Sequence, residues 1–197
     1  MKYNIVIAGV GGQGIIAVAA VIARAAMLSG LLVRQSEIHG MSQRGGGVSS
    51  FVRISDAPIP SDIIPNGGAD MILSMEPLES LRYIHMLAEN GILITAKEPF
   101  KNIPDYTNLD GIYNYIKSIE RNVIVDTEEL AKEAGAIRSA NIVLVGAAAP
   151  HLPIEFKYLE QATAEIFAKK GDVIVAANLN ALHIGREKGA GVVPDKE

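Results

Sequence analysis

One stretch constrains this chain more than any other: IVIAGVGGQGIIAVAAVIARAAMLSG, residues 5–30. A short apolar run stops at a turn containing four glycines, and a long apolar segment follows. Tyr3 to Ala8 reads as a buried strand, because β-favouring residues follow one another without polar alternation. Gly14 to Ser29 reads as a helix, with Gly30 placed to end it. A strand, a glycine turn and a helix in that order open a parallel α/β sheet. Ile15 to Val33 is apolar enough to suggest a membrane span, but Arg24 in its middle costs roughly 2.5–3.5 kcal/mol on insertion scales. A soluble helix is the expectation, with no membrane partner.

The alternation continues downstream. Leu31 to Gln35 is a second strand and SEIHGMSQRGGG (36–47) is irregular. Val48 to Ile54 is a third strand that follows without an intervening helix, so one local departure from strict alternation is expected. Pro58 to Pro65 is a loop or edge. Asp70 to Ser74 is a strand, and Pro77 opens a helix whose Leu78, Leu81, Ile84 and Leu87 keep helical spacing up to Gly91. Ile92 to Ala96, a short helix from Gly111 to Ser118 and the strand NVIVDT (122–127) come next. Asp126 or Thr127 caps a helix that Gly135 terminates. Helices over Asn141–Ala149, Ile154–Lys169 and Asp172–Lys188 complete the chain. The expected fold is α/β, a Rossmann-like and mostly parallel sheet with helices on both faces and a helical C-terminal part. Residues 1–190 are expected to form one domain, with 191–197 a frayed tail.

Hydrophobic residues make up 49% and charged ones 20%, which describes a globular chain. A net charge of −4 without any Lys/Arg run argues against nucleic acid as a partner. The complete lack of cysteine removes disulfides, thiol nucleophiles and thiolate ligands for zinc or iron–sulfur clusters. The chain enters a strand-like segment within a few residues, so no secretory signal is expected and a cytoplasmic location is the default. The first helix offers only Arg24 and Ser29 as polar side chains, and NIVLVGAAA and DVIVAANLNALHIG are also apolar on most sides. Such helices want a second cover, either another subunit or one another.

The turn GVGGQG satisfies G-x-G-x-x-G through Gly9, Gly11 and Gly14, with Gly12 in addition. Glycine there permits a tight turn and close approach of a phosphate to a helix N-terminus. Glu37 stands about where a dinucleotide site wants an acid for the ribose. The turn taken alone leaves two readings open, a dinucleotide site or a scaffold turn. The second loop is richer. Gly45, Gly46 and Gly47 in succession give up conformational entropy and side-chain packing. Glu37, His39, Ser42, Gln43 and Arg44 crowd around them, beyond a strand's carboxyl end, where open α/β sheets receive ligands.

GVGGQG, SEIHGMSQRGG, the segment from ISD through IPSDIIPNGGADMILSMEPLE, and ANLNALHIG together resemble one family, the gamma-type (domain III) component of the 2-oxoacid:ferredoxin oxidoreductases. The likeness spans nearly the whole chain and is closest to the separate small subunits of the branch that acts on indolepyruvate. It implies a subunit of a complex converting a 2-oxoacid, with indolepyruvate or another aryl pyruvate expected, to acyl-CoA, CO2 and reduced ferredoxin. It also implies that thiamine diphosphate, Mg2+ and iron–sulfur clusters sit on a catalytic alpha-type partner, that coenzyme A is a co-substrate, and that this chain alone holds no cofactor or metal. Gly9, Gly11, Gly12, Gln13 and Gly14 match the first motif. Glu37, His39, Gly40, Ser42, Gln43, Arg44, Gly45 and Gly46 match the second. With Gly47 they are the expected ligand- or partner-facing set, and Arg44 and His39 are the candidates for catalysis. Arg44 would meet an anion, the keto acid's carboxylate or a coenzyme A phosphate. The competing readings are a stand-alone NAD(P)-dependent dehydrogenase using Glu37, and a structural or ligand-sensing module.

Other polar residues are expected to be structural. His85 and His151 stand alone, and His183, Asn178 and Asn180 read as caps and buried hydrogen bonds. Glu76 and Glu79 follow a strand's end, with Glu79 in the first turn of the next helix, where the helix dipole favours a carboxylate.

Overall fold

The structure is a computed structural model describing residues 1–39, 45–101, 106 and 108–190. Six strands form one sheet: β1 (Lys2–Val10), β2 (Leu32–His39), β3 (Gly47–Ser55), β4 (Ala69–Ser74), β5 (Leu87–Ala96) and β6 (Asn122–Val125), in spatial order β2-β3-β1-β4-β5-β6. β1 pairs parallel with β4, β4 with β5 and β5 with β6, while β3 lies antiparallel between β1 and β2. The expected departure from alternation is therefore a hairpin strand inserted beside the first strand.

Both faces of the sheet are covered, which is why β1 reads as an unbroken apolar run. Ile5 and Ile7 face a large core with α1 (Ile15–Leu28), α4 (Thr127–Glu133), α5 (Ala140–Ala148), α6 (Phe156–Phe167) and α7 (Asp172–Ala190). Val6 faces a smaller one closed by α2 (Pro77–Arg82) and α3 (Leu109–Ser118). The stops foreseen for α1 and α4 share one mechanism. Gly30 and Gly135 adopt φ +84 and +67. Leu31 N–H then returns to the Ala26 carbonyl at 3.0 Å, and Ala136 N–H to the Ala131 carbonyl at 2.8 Å. These bonds satisfy carbonyls that the helix end would otherwise orphan.

Several expectations change, the first being that Ser36 to His39, expected to be irregular, continues β2. The helix from Pro77 ends at Arg82, a single 3-10 turn covers Ile84–Met86, and β5 has already begun at Leu87. Leu78, Leu81, Ile84 and Leu87 do pack together against the smaller core, but a helix, a turn and a strand share the task. Gly91 lies inside β5, where a β-carbon would come 2.9 Å from the Ala69 carbonyl oxygen, so close strand approach explains it. The apolar C-terminal helices cover one another in part: α7 leaves Val173 and Ile174 exposed at its start. α5 is buried from Ile142 to Ala148 beneath α7, and α6 lies along α1. Ile16 and Met27 are the large apolar side chains that α1 leaves exposed.

α5 and α7 approach more closely than any pattern in the sequence suggested. A β-carbon on Gly146 would overlap the Leu182 carbonyl oxygen, one on Gly185 that of Val143, and one on Gly189 that of Ala147. Asn178 is buried on the same face of α7 and donates to the Ile174 carbonyl at 2.7 Å. Asn180 and His183 are exposed, correcting their expected buried roles, and His183 pairs with Glu160 at 2.8 Å. The expected tail, 191–197, lies outside the described residues.

Candidate functional site

The carboxyl ends of β1, β4 and β5 and the start of β3 form one rim, and both glycine-rich segments meet there. Gly11 N–H donates to the Gly46 carbonyl at 2.9 Å. Gln13 braces the first turn with both ends of its amide: Oε1 accepts from Val10 N–H at 2.7 Å, and Nε2 donates to the Met75 carbonyl at 3.0 Å. Gly9 has no room for a β-carbon, which would stand 2.9 Å from Gln13 Oε1 and from Met75 Cβ. Gly14 caps α1 in the left-handed region at φ +84, with the Asn141 amide packed over it. The turn is thus a scaffold and, through the free N–H groups that start α1, an anion-favouring surface.

Of the second motif, Gly45, Gly46 and Gly47 are at the rim, with Gly45 at φ +78. The backbone of His39 ends β2, paired with Val48, which in turn pairs with Gly9. Gly40, Ser42, Gln43 and Arg44 lie outside the described residues, so the Arg44 expectation rests on sequence. Glu37 is exposed on β2 and accepts from Gln35 Nε2 at 2.9 Å. Because β3 separates β2 from β1, Glu37 stands two strand spacings from the glycine turn, roughly 10 Å. That insertion removes the ribose-binding acid from where a dinucleotide would need it, and the dehydrogenase reading is not favoured.

A groove of about 790 Å³ opens beside the glycine turn. Gly12 and Gly14 form one wall, Ile137 and Asn141 another, and Val173 and Ile174 of α7 a third. Ile137 and Val173 are 70% and 82% exposed. Glu98 sits at its edge, accepting from Thr127 Oγ1 at 2.8 Å and Glu128 N–H at 3.0 Å, while burial pushes its carboxyl up. Residues 137–141 were missed from the sequence. Their only signal is position, the start of a helix just past the Gly135 stop.

On the other side of the glycine turn lies a cleft of about 220 Å³, bounded by Gly45–Gly47, Leu78, Glu79, Arg82, Phe100 and Tyr106. Glu79 falls in the first turn of α2 as expected. It is nearly buried and paired with Arg82 at 2.9 Å. Burial raises its carboxyl and the Arg82 guanidinium opposes that rise. Among the described residues no cluster of three or more His, Cys, Asp or Glu could hold a metal, and no helix is long and apolar enough to cross a membrane.

Known proteins supply the context. The family described as pyruvate ferredoxin/flavodoxin oxidoreductase matches residues 4–188. An indolepyruvate oxidoreductase subunit IorB of Archaeoglobus fulgidus is 40% identical over 196 residues, 94% of each chain. Its counterpart from Pyrococcus horikoshii is 37% identical over 93% of this chain and 94% of that one. A keto/oxoacid ferredoxin oxidoreductase gamma subunit from Geobacter sulfurreducens superposes with a TM-score of 0.69 at 26% identity, covering 96% of this chain and 99% of that one. A 2-oxoglutarate:ferredoxin oxidoreductase from Magnetococcus marinus, solved with 2-oxoglutarate, coenzyme A and succinyl-CoA, shares the fold at a TM-score of 0.77 and 22% identity. The match covers 98% of this chain but only 32% of that longer one.

Proposed function

The chain belongs to the pyruvate ferredoxin/flavodoxin oxidoreductase family, and from that premise we propose that it is the small, gamma-type subunit of a 2-oxoacid:ferredoxin oxidoreductase acting on indolepyruvate or another aryl pyruvate. The full-length likeness to two indolepyruvate oxidoreductase subunits carries this reading. Residues 1–190 serve as one domain of that complex. In that complex the catalytic alpha-type partner would hold thiamine diphosphate, Mg2+ and iron–sulfur clusters, which would supply the decarboxylation of the 2-oxoacid, the acyl transfer to coenzyme A and the electron transfer to ferredoxin. A chain without cysteine contributes no thiolate to those clusters.

What this chain contributes is a rim. The Gly11–Gly46 hydrogen bond makes the two glycine segments one surface, and His39 and Gly45, which flank positions 40–44, both end on it. The N–H groups opening α1 favour an anion there. Arg44 supplies a guanidinium suited to a carboxylate or phosphate, matching either the keto acid or coenzyme A. His39 is the second candidate.

Co-express the chain with its catalytic partner, purify the complex anaerobically and follow coenzyme-A-dependent ferredoxin reduction by indolepyruvate. An iron-containing complex with that activity is the expected result, and Arg44→Ala should raise the apparent KM for coenzyme A or for the keto acid. A monomeric chain that binds NAD(H) saturably and turns over a keto acid alone would overturn the reading.

A further inference from the structure

We infer that Glu76 and Glu79 are positioning residues, which lock the three segments of the rim into one receiving surface through the corner between β4 and α2; this rests on the reading above. The corner touches every part of the rim. Met75 takes the Gln13 amide through its carbonyl and returns its own N–H to the Ala8 carbonyl at 2.8 Å, fixing the first glycine turn. Glu76, 1% exposed, spends both carboxylate oxygens on the neighbouring backbone and on a tyrosine. Oε2 accepts from Glu79 N–H at 2.8 Å and so caps α2, while Oε1 accepts from Phe100 N–H at 3.3 Å and from the Tyr106 hydroxyl. Phe100 and Tyr106 lie 24 and 30 residues further along the chain. Glu79 Oε2 lies 3.0 Å from where a β-carbon on Gly47 would stand, so this carboxylate sets how close the second glycine segment comes. Arg82 holds Glu79 in that place.

A helix cap alone does not require this arrangement. Serine or asparagine would cap α2 equally well, but neither offers a second anionic oxygen for Phe100 and Tyr106. Burying a carboxylate is costly, and here three donors from separate segments compensate it. The chemistry asks for an acceptor-only group at position 76, because Phe100 N–H and Glu79 N–H can only donate.

These residues do not meet the reacting atoms in this reading; they shape a surface that binds the unreacting part of a co-substrate. Loosening it should therefore raise KM and leave kcat unchanged, the signature of lost uniform binding. The test uses the assembled complex with Glu76→Gln, Tyr106→Phe and Glu79→Gln, measuring kcat, KM for coenzyme A and for indolepyruvate, and thermal midpoint. The expected result is a rise of about fivefold or more in one KM, kcat within about twofold, and an unchanged midpoint for Tyr106→Phe and Glu79→Gln. Glu76→Asp should recover part of the Glu76→Gln loss, since it restores an acceptor-only group. If Glu76→Gln does not fold, the other two variants decide. Unchanged KM values in both would overturn the inference, as would a fall in kcat that tracks a fall in thermal midpoint. A wild-type complex without 2-oxoacid activity would instead sink the functional reading beneath it.

Discussion

At the rim, Gly12 and Gly14 hold φ +106 and +84, and a β-carbon on Gly12 would meet nothing within 4 Å. At the crossing of α5 and α7, Gly146, Gly185 and Gly189 sit within ordinary helices, yet a β-carbon on any of them would run into the partner helix's backbone. The first region uses glycine for its torsional freedom and the second for its lack of volume. A turn built on torsion can face a ligand or a partner at Gly12, where nothing fills the space above it. A crossing built on contact belongs to the core, where a protein tolerates little added volume. Glycine content alone does not distinguish a binding turn from a packing seam.

The sharpest way to break this contrast is Gly185→Ala. The new methyl would meet the Val143 carbonyl, which is backbone and cannot swing aside. The expected cost is about 3 kcal/mol, a fall of roughly 6–12 °C in calorimetric midpoint. A midpoint within a degree or two of wild type would mean that the seam is not closed. Gly14→Ala comes next. It combines about 1–2 kcal/mol of left-handed strain with an Asn141 amide nitrogen 2.5 Å from the new carbon. Adding Asn141→Ala should recover the steric part and leave the torsional part, measurable by chemical denaturation. Gly12→Ala has room for its methyl and should cost only strain, about 1–2 kcal/mol, so it shows the torsional cost without the steric one.

The smallest effect is a pH dependence confined to the seam. His151 stands beside Gly189, and burial holds its imidazole below the ordinary value of 6.5, helped by Arg121 and opposed by a backbone hydrogen bond with Gly189. Above that ordinary value the side chain is neutral in both folded and unfolded states. As pH falls below it, the unfolded chain takes up a proton that the folded one resists, so stability drops across the window down to the lowered value. The wild-type minus His151→Gln difference in unfolding free energy should shrink from pH 7 to pH 5. A difference independent of pH would show that the imidazole titrates normally.

Much of this was legible before any coordinates. The run into Gly9, the helix stops at Gly30 and Gly135, and the hairpin strand after the second motif all follow from local backbone requirements. The expected helix beyond Arg82, up to Gly91, shows where local reading fails: apolar residues spaced three or four apart satisfy one buried face whether a helix, a turn or a strand presents them. Glu76 was noticed for its place at a strand's end, but its partners at 100 and 106 are invisible to any window along the chain.

By itself the sequence determined where backbone must turn, stop or stay buried, because glycine torsions, helix caps and apolar runs act over a few residues. Tertiary structure alone decided which of these features meet. β3 lies between β1 and β2 and sets Glu37 apart from the glycine turn, while Gly11 meets Gly46 at the end of the neighbouring strand. The same glycines that weaken a lone helix let α5 and α7 come into backbone contact. Those outcomes depend on the packing of distant segments, whose energy exists only once the chain has folded.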